Sequence, residues 1–136
     1  MDFVKQAAVK VFSTLGAGFS ERVYHNATEV LLKKEGIEFK SEHVIPVMFE
    51  GVEVGNVRAD LVVNDDLVVE LKSVKGITGN HVTQCEMYMK LTNIPSGLVI
   101  NFPCSNDEKV EICEIGKIVT TNYVRVTHPA SVSVRL

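Results

Sequence analysis

The chain has little with which to build the commoner kinds of site. Its three cysteines, Cys85, Cys104 and Cys113, are widely spaced and form no CxxC pair. That argues against a structural zinc knuckle or a disulfide framework and for a reduced, intracellular protein. The four histidines, His25, His43, His81 and His128, show no HExxH or other metal-ligand spacing and read as surface or internally satisfied residues. Excess positive charge is also missing: the formal charge is −3 and the pI about 5.8. Any contact with nucleic acid must therefore come from a local basic patch, because global attraction is absent. No apolar run approaches the length of a membrane span, and MDFVKQAAVKVF at the start reads as an amphipathic helix instead of a secretion signal. Internal repeats and low-complexity linkers are likewise lacking.

What is present is ordinary globular composition, with 46% hydrophobic and 23% charged residues in 136 positions, which fits one domain. Phe3, Val4, Ala7, Ala8, Val11 and Phe12 recur at helical spacing and predict a first helix over 2–14, broken by Gly16 and Gly18. A second helix is expected from Phe19 to Glu35, with Phe19, Val23, Ala27, Val30 and Leu31 as its apolar stripe and Gly36 as its stop. The period then changes. Strands are expected over 37–49, 52–63 and 67–74, and Pro46 places the first at an edge or a bulge. KGITGN is a loop, Asn80 a candidate N-cap, and 81–91 a third helix with Cys85 in the core. GLVINF (97–102) has the continuous apolarity of a strand covered on both faces. Val110 to Ile115 is a further strand, KIVTTNYVRV either another strand or a short helix, and the acidic stretch NDEKVEICE (106–114) solvated surface. The fold class is mixed α/β: helix, three strands, helix, strand, with a central mixed sheet flanked by helices.

RADLVVNDDLVVELKSV (58–74) raises the chemical question, because its apolar runs carry Asp60, Glu70 and Lys72. A three-residue turn at Asn64, Asp65 and Asp66 sets Val63 opposite Leu67, and counting outward sets Asp60 opposite Glu70. Opposed residues share a face with Cβ atoms roughly 5 Å apart, and Lys72 points the same way. Leu61, Val63, Leu67, Val69 and Leu71 then fill the other face. Two carboxylates that close repel by about 3 kcal/mol at an effective dielectric near 20. Lys72 offsets part of this, and a divalent cation offsets it fully; oxygen-only ligands suit Mg²⁺ or Mn²⁺. A metal there supports phosphodiester hydrolysis. Spacing alone leaves a second reading open, a solvent-facing edge hairpin with Lys72 as an ordinary ion-pair partner. A register slip of one residue would remove the geometry altogether.

Asp60 followed by Glu70-Leu71-Lys72 resembles the D…(D/E)xK core of the PD-(D/E)XK nuclease superfamily, and the element order is similar to its restriction-endonuclease-like core. GFSERVY (Gly18 to Tyr24) matches the GxxExxY motif of a small family within it, and VGNVRADLVV, LVVELKSV, HVTQCEMYMKL and GLVINF resemble that family's successive blocks over residues 15 to 103. The resemblance implies a nuclease using Mg²⁺ or Mn²⁺ on nucleic acid, DNA ahead of RNA. Asp60 and Glu70 would hold the metal, with the Leu71 carbonyl as a further ligand. Lys72 would be the catalytic lysine, Gln84 a catalytic-site glutamine, and Glu21 an acidic residue reaching the metal directly or through water. Arg58, Tyr24, Tyr88 and Lys75, the last beside Gly76, are candidate substrate contacts. For Tyr24 a packing or hydrogen-bonding role is expected ahead of a catalytic one, while Tyr88 and Gln84 have an exposed helix face as their rival reading and Arg58 has pairing with a carboxylate. Cutting both strands of a duplex would call for a dimer or added domains, so a homodimer, or action on single strands or ends, is expected. The rivals are a non-catalytic binding module on the same scaffold and a plain structural interaction domain.

Overall fold

In the computed structural model, which describes residues 1–117, 123–126 and 132–134, the chain order is α1 (Asp2–Leu15), α2 (Glu21–Lys34), β1 (Phe39–Phe49), β2 (Val52–Val63), β3 (Leu67–Lys72), α3 (Gly79–Thr92), β4 (Ser96–Asn101), β5 (Val110–Lys117), β6 (Tyr123–Val126) and β7 (Val132–Val134). The strands lie in one sheet in the order β1-β2-β3-β4-β5-β6, with β7 also paired to β5. β1, β2 and β3 form an antiparallel meander. β4 runs parallel to β3, reached by the crossover through α3, and β5 turns back antiparallel. Within KIVTTNYVRV, Tyr123 to Val126 is a strand and 118–122 lie outside the described residues, as does His128.

The core is split by the sheet. On one face Val4, Ala8, Val11 and Phe12 of α1 and Tyr24 and Leu32 of α2 pack on Leu61, Val63, Leu67, Val69, Leu71, Leu98 and Ile100. On the other, Val82, Cys85, Tyr88 and Met89 of α3 pack on Val62, Val68 and Val99. Alternate residues of β3 and β4 therefore feed opposite clusters, which is why GLVINF is apolar throughout. Gly97 lets α3 approach closely: a Cβ there would stand 2.5 Å from Met89 Sδ and 2.8 Å from Cys85 Sγ.

Several boundaries and faces differ from the sequence expectation. The buried stripe of α2 is Tyr24, His25, Thr28 and Leu32, whereas Phe19, Val23 and Val30 are exposed. Polar groups ride in the buried stripe because each finds a local partner. Thr28 Oγ1 donates to the Tyr24 carbonyl at 2.8 Å, and His25 Nε2 meets Glu29 at 2.5 Å and Ser41 at 3.1 Å. The cap of α3 is Thr78, not Asn80. Its hydroxyl accepts from the His81 N–H at 3.4 Å while His81 Nδ1 accepts from the Thr78 N–H at 3.0 Å, a capping box built with histidine. β3 ends at Lys72, two residues early. Of the stretch 106–114, Val110, Ile112, Cys113 and Glu114 are buried, because β5 covers the sheet beside β4.

β1 is an edge strand, as Pro46 predicts. β2 pairs with β3 over only Leu61–Val63, so the rest of the β1–β2 hairpin extends past β3 and exposes Val44, Met48, Phe49, Val52 and Val54.

Candidate active site

The turn at 64–66 has the expected register: Val63 pairs with Leu67, Val62 with Val68 and Leu61 with Val69. Asn64 and Asp65 take φ of 52° and 56°, a left-handed turn that these two residue types tolerate, and Asp66 N–H donates to the Val63 carbonyl at 3.1 Å. The next pair outward is Asp60 and Glu70, and there the ladder gives way. The Leu71 N–H donates to Asp60 Oδ2 at 2.7 Å, so a side chain takes the place of a backbone acceptor. Because the N–H and C=O of one strand residue leave on the same edge, the Leu71 carbonyl also lies on the β2 side. Val57 and Ala59 share the α3-facing cluster with Val62, so strict alternation breaks around Asp60. The break turns Asp60 toward the opening between the strands.

Asp60 and Glu70 are 5% and 4% exposed. Glu70 Oε1 is the buried side-chain oxygen that finds no hydrogen-bond partner among the described residues. Burial, and then the Asp60 charge beside it, push the Glu70 carboxyl up to about 9, and Lys72 and Arg58 pull it back only in part. A buried acid with an orphaned oxygen next to a second carboxylate is costly unless a cation joins them. The two carboxylates therefore fit a hard divalent ion, with oxygen donors only. They do so as a pair: among the described residues no three His, Cys, Asp or Glu side chains gather closely enough to hold a metal by themselves. Glu21 lines the same cleft as the pair.

A cleft of about 470 Å³ opens over this pair, lined by Glu21, Asn56, Val57, Arg58, Asp60, Glu70, Lys72, Thr83, Gln84 and Met87. It brings together six of the residues singled out from sequence: Glu21, Arg58, Asp60, Glu70, Lys72 and Gln84. They converge from three layers. Glu21 comes from the first turn of α2, Arg58 and Asp60 from β2, Glu70 and Lys72 from β3, and Gln84 from α3. Lys72 Nζ donates to Gln84 Oε1 at 3.5 Å. Arg58 Nη2 meets Asp60 Oδ1 at 3.4 Å, the carboxylate pairing weighed against phosphate contact for this residue.

Three of the candidates named for their side chains do not line the cleft, and neither does Leu71, named for its backbone carbonyl. Tyr24 is fully buried: its ring stacks on Phe102 with centroids 4.5 Å apart, and its hydroxyl donates to the Gly16 carbonyl at 2.6 Å and accepts from the Phe19 N–H at 3.3 Å. It ties down the loop that carries Gly18, at φ 105°, and the Ser20 cap, and so sets where Glu21 emerges. Tyr88 turns into the α3-facing core, its hydroxyl bonded to His43 Nδ1. Apolar packing takes the ring inward, and Thr83, Gln84 and Met87 form the exposed stripe instead. Lys75 is exposed in the loop after β3 and away from the cleft.

Asn56, Val57, Thr83 and Met87 on the cleft wall were missed from sequence, although the helical spacing of Thr83 and Met87 with Gln84 carried a signal. Asn101 and His81 were missed too. Asn101 is fully buried at the end of β4 and holds Val74, just past Lys72; His81 feels the Lys72 charge, its imidazole lowered by burial first and by that charge second.

A family model described as the PD-(D/E)XK nuclease superfamily matches residues 1–114. Among curated proteins none matches. A solved structure titled "Crystal structure of SSO0001" is similar in fold, with a TM-score of 0.55 and 20% identity over 70% of this chain and 49% of the other, so this chain spans about half the length of that protein. The helix-flanked mixed sheet is a restriction-endonuclease-like fold, and the chain belongs to the PD-(D/E)XK nuclease superfamily.

Proposed function

We propose that this chain is a metal-dependent nuclease of the GxxExxY type, a single domain over residues 1–136 that hydrolyses phosphodiester bonds of nucleic acid, DNA ahead of RNA. The observation that carries this reading is the orphaned, buried Oε1 of Glu70 beside Asp60 on the wall of an open cleft. Asp60, Glu70 and the Leu71 carbonyl hold Mg²⁺ or Mn²⁺. When bound, the ion supplies positive charge against the phosphoryl oxygens. Lys72, kept near Gln84, stabilises charge developing on the phosphate and either orients the attacking water as an ammonium or, in its uncharged form, takes the water's proton. Glu21 steadies that water from the α2 side of the cleft. Water attacks phosphorus and the ester P–O bond breaks, leaving a phosphate monoester and a hydroxyl. The wide spacing of Cys85, Cys104 and Cys113, with no CxxC pair, supports an intracellular setting, and a homodimer would supply the second site needed to cut both strands of a duplex.

The test is incubation of the purified chain with labelled single-stranded DNA, duplex DNA and RNA, in Mg²⁺ or Mn²⁺ against EDTA. Metal-dependent cleavage should fall at least about 100-fold in Asp60→Ala and Lys72→Ala. Equal activity in those variants assigns the cleavage to a contaminant. Binding with no cleavage under any metal favours the non-catalytic module on the same scaffold.

A further inference from the structure

Two guanidinium groups at the rim of the cleft converge on a single oxygen atom. Arg22, next to Glu21 on α2, places Nη2 on Oε1 of Glu42, and Arg58 places Nη1 3.4 Å from the same Oε1. The second Nη of Arg58 is the one that reaches Asp60, so the cluster runs without a break from the rim to the buried carboxylates.

Glu42 is itself unusual. It takes φ of 51°, a left-handed conformation that glutamate rarely adopts, at the position omitted from the β1–β2 register between Ser41↔Leu61 and His43↔Ala59. By that register it falls opposite Asp60. The left-handed backbone there interrupts the ladder without shifting its register, and the Glu42 carboxylate meets the arginines. Both arginine side chains are more than half exposed, at 56% and 52%, so a ligand from solvent can reach them. The trio carries two positive charges against one negative. Its geometry, two forked donors aimed at one anionic oxygen, is that of phosphate recognition.

We propose that Arg22 and Arg58 form a clamp for a non-bridging oxygen of a nucleic-acid backbone phosphate, and that Glu42 is a built-in anion that keeps the clamp converged until phosphate displaces it. The clamp seats a phosphate neighbouring the one attacked, which fixes the register of the strand over Asp60 and Glu70. This rests on the nuclease reading and adds to it the residues that grip the strand.

The experiment measures binding of a fluorescent single-stranded oligonucleotide in EDTA, over a series of salt concentrations, in parallel with cleavage in Mn²⁺. Arg22 is the discriminating position, since it touches Glu42 and no candidate metal ligand. Arg22→Gln should weaken binding about tenfold and lower the slope of log K against log salt by about 0.7, the loss of one phosphate contact on a single strand. Arg22→Lys should keep the slope and lose part of the affinity, because the charge remains and the fork is gone. Glu42→Gln keeps an acceptor for the arginines but removes the competing charge, and should bind several-fold more tightly. An unchanged slope in Arg22→Gln, or weaker binding in Glu42→Gln, overturns the clamp. If the wild type cleaves and these variants bind as it does, the clamp fails and the nuclease reading stands. If the slopes change as expected but no metal supports cleavage, the clamp stands and the nuclease reading fails. A wild type that neither binds nor cleaves ends both.

Discussion

Asn101 holds both backbone groups of Val74: its Oδ1 accepts the Val74 N–H at 2.9 Å and its Nδ2 donates to the Val74 carbonyl at 2.9 Å. The same Nδ2 reaches Glu111 Oε1 at 2.9 Å. β3 has ended at Lys72, whose carbonyl accepts from the Phe102 N–H at 2.8 Å, and the Asn101 amide continues the ladder as a side-chain substitute for a strand. The chain leaving Lys72 is thus fixed on the β4 side.

Asn101→Ala strands the half-buried N–H and C=O of Val74 and should cost about 1–3 kcal/mol, since water reaches these groups in part. Asn101→Asp should be worse, since it removes the donor and sets a carboxylate against Glu111 and the Val74 carbonyl. Urea denaturation reads both. In Asn101→Ala the cleavage rate should drop by more than the folded fraction explains, because Lys72 loses its anchor; a rate that tracks folding alone contradicts this.

Glu70 makes the metal-free protein sensitive to alkali. Its carboxyl is raised from 4.5 to about 9 by burial and by Asp60, so the native state keeps a proton that the unfolded chain has released. Stability from this group is therefore complete below the unfolded value and is lost as pH rises from about 4.5 towards 9, on the order of 3 kcal/mol by pH 7. Glu70→Gln cannot ionise and should flatten that loss. In EDTA at pH 8 the variant should resist more urea than the wild type, with the advantage vanishing near pH 4.5. Mn²⁺ should stabilise the wild type more than the variant. Parallel pH profiles for the two proteins would refute the account.

Tyr24→Phe keeps the stack on Phe102 and deletes the hydroxyl that serves Gly16 and Phe19. The expected cost is about 1–2 kcal/mol. Since the hydroxyl acts on the loop before Glu21 and touches no cleft residue, Mn²⁺ affinity measured by titration calorimetry should be unchanged while kcat falls. A variant that loses metal affinity would place Tyr24 in the centre itself.

Gly97→Val tests the close approach of α3. The new side chain would meet Cys85 and Met89 below normal contact distance, and overpacking of this kind costs about 1–3 kcal/mol. Met89 can swing its terminal atoms aside, but Cys85 has nowhere to go on a buried helix turn. The urea midpoint should drop, and a midpoint equal to wild type would mean that α3 moves freely over the sheet.

Much of the frame was legible because its signals are local. Asn64 and Asp65 tolerate left-handed backbone, so the turn and its register could be counted from residue types, and with them the meeting of Asp60 and Glu70. Pro46 marked an edge for want of an N–H. The failures arise where a polar group found a partner that no pattern announces. Thr28 went into the core because a helix carbonyl accepts its hydroxyl, and Tyr88 went in with the apolar packing of α3, where its hydroxyl meets His43. The Asn101 clamp and the convergence of Arg22 and Arg58 on Glu42 join residues far apart in the chain, beyond the reach of periodicity. Glu42 was missed for a further reason: a glutamate gives no hint that its backbone will turn left-handed.

The cleft draws its side chains from both helical layers and from the two strands between them, so no fragment of the chain contains it. Glu21 and Gln84 come from helices packed on opposite faces of the sheet, and β3 between them is held in the sheet by its pairing with β4. A ligand held there therefore grips the whole molecule at once, stabilising it by RT ln(1 + [L]/Kd). Amide exchange in α1, far from the opening, should slow with the same ligand dependence as exchange in β3.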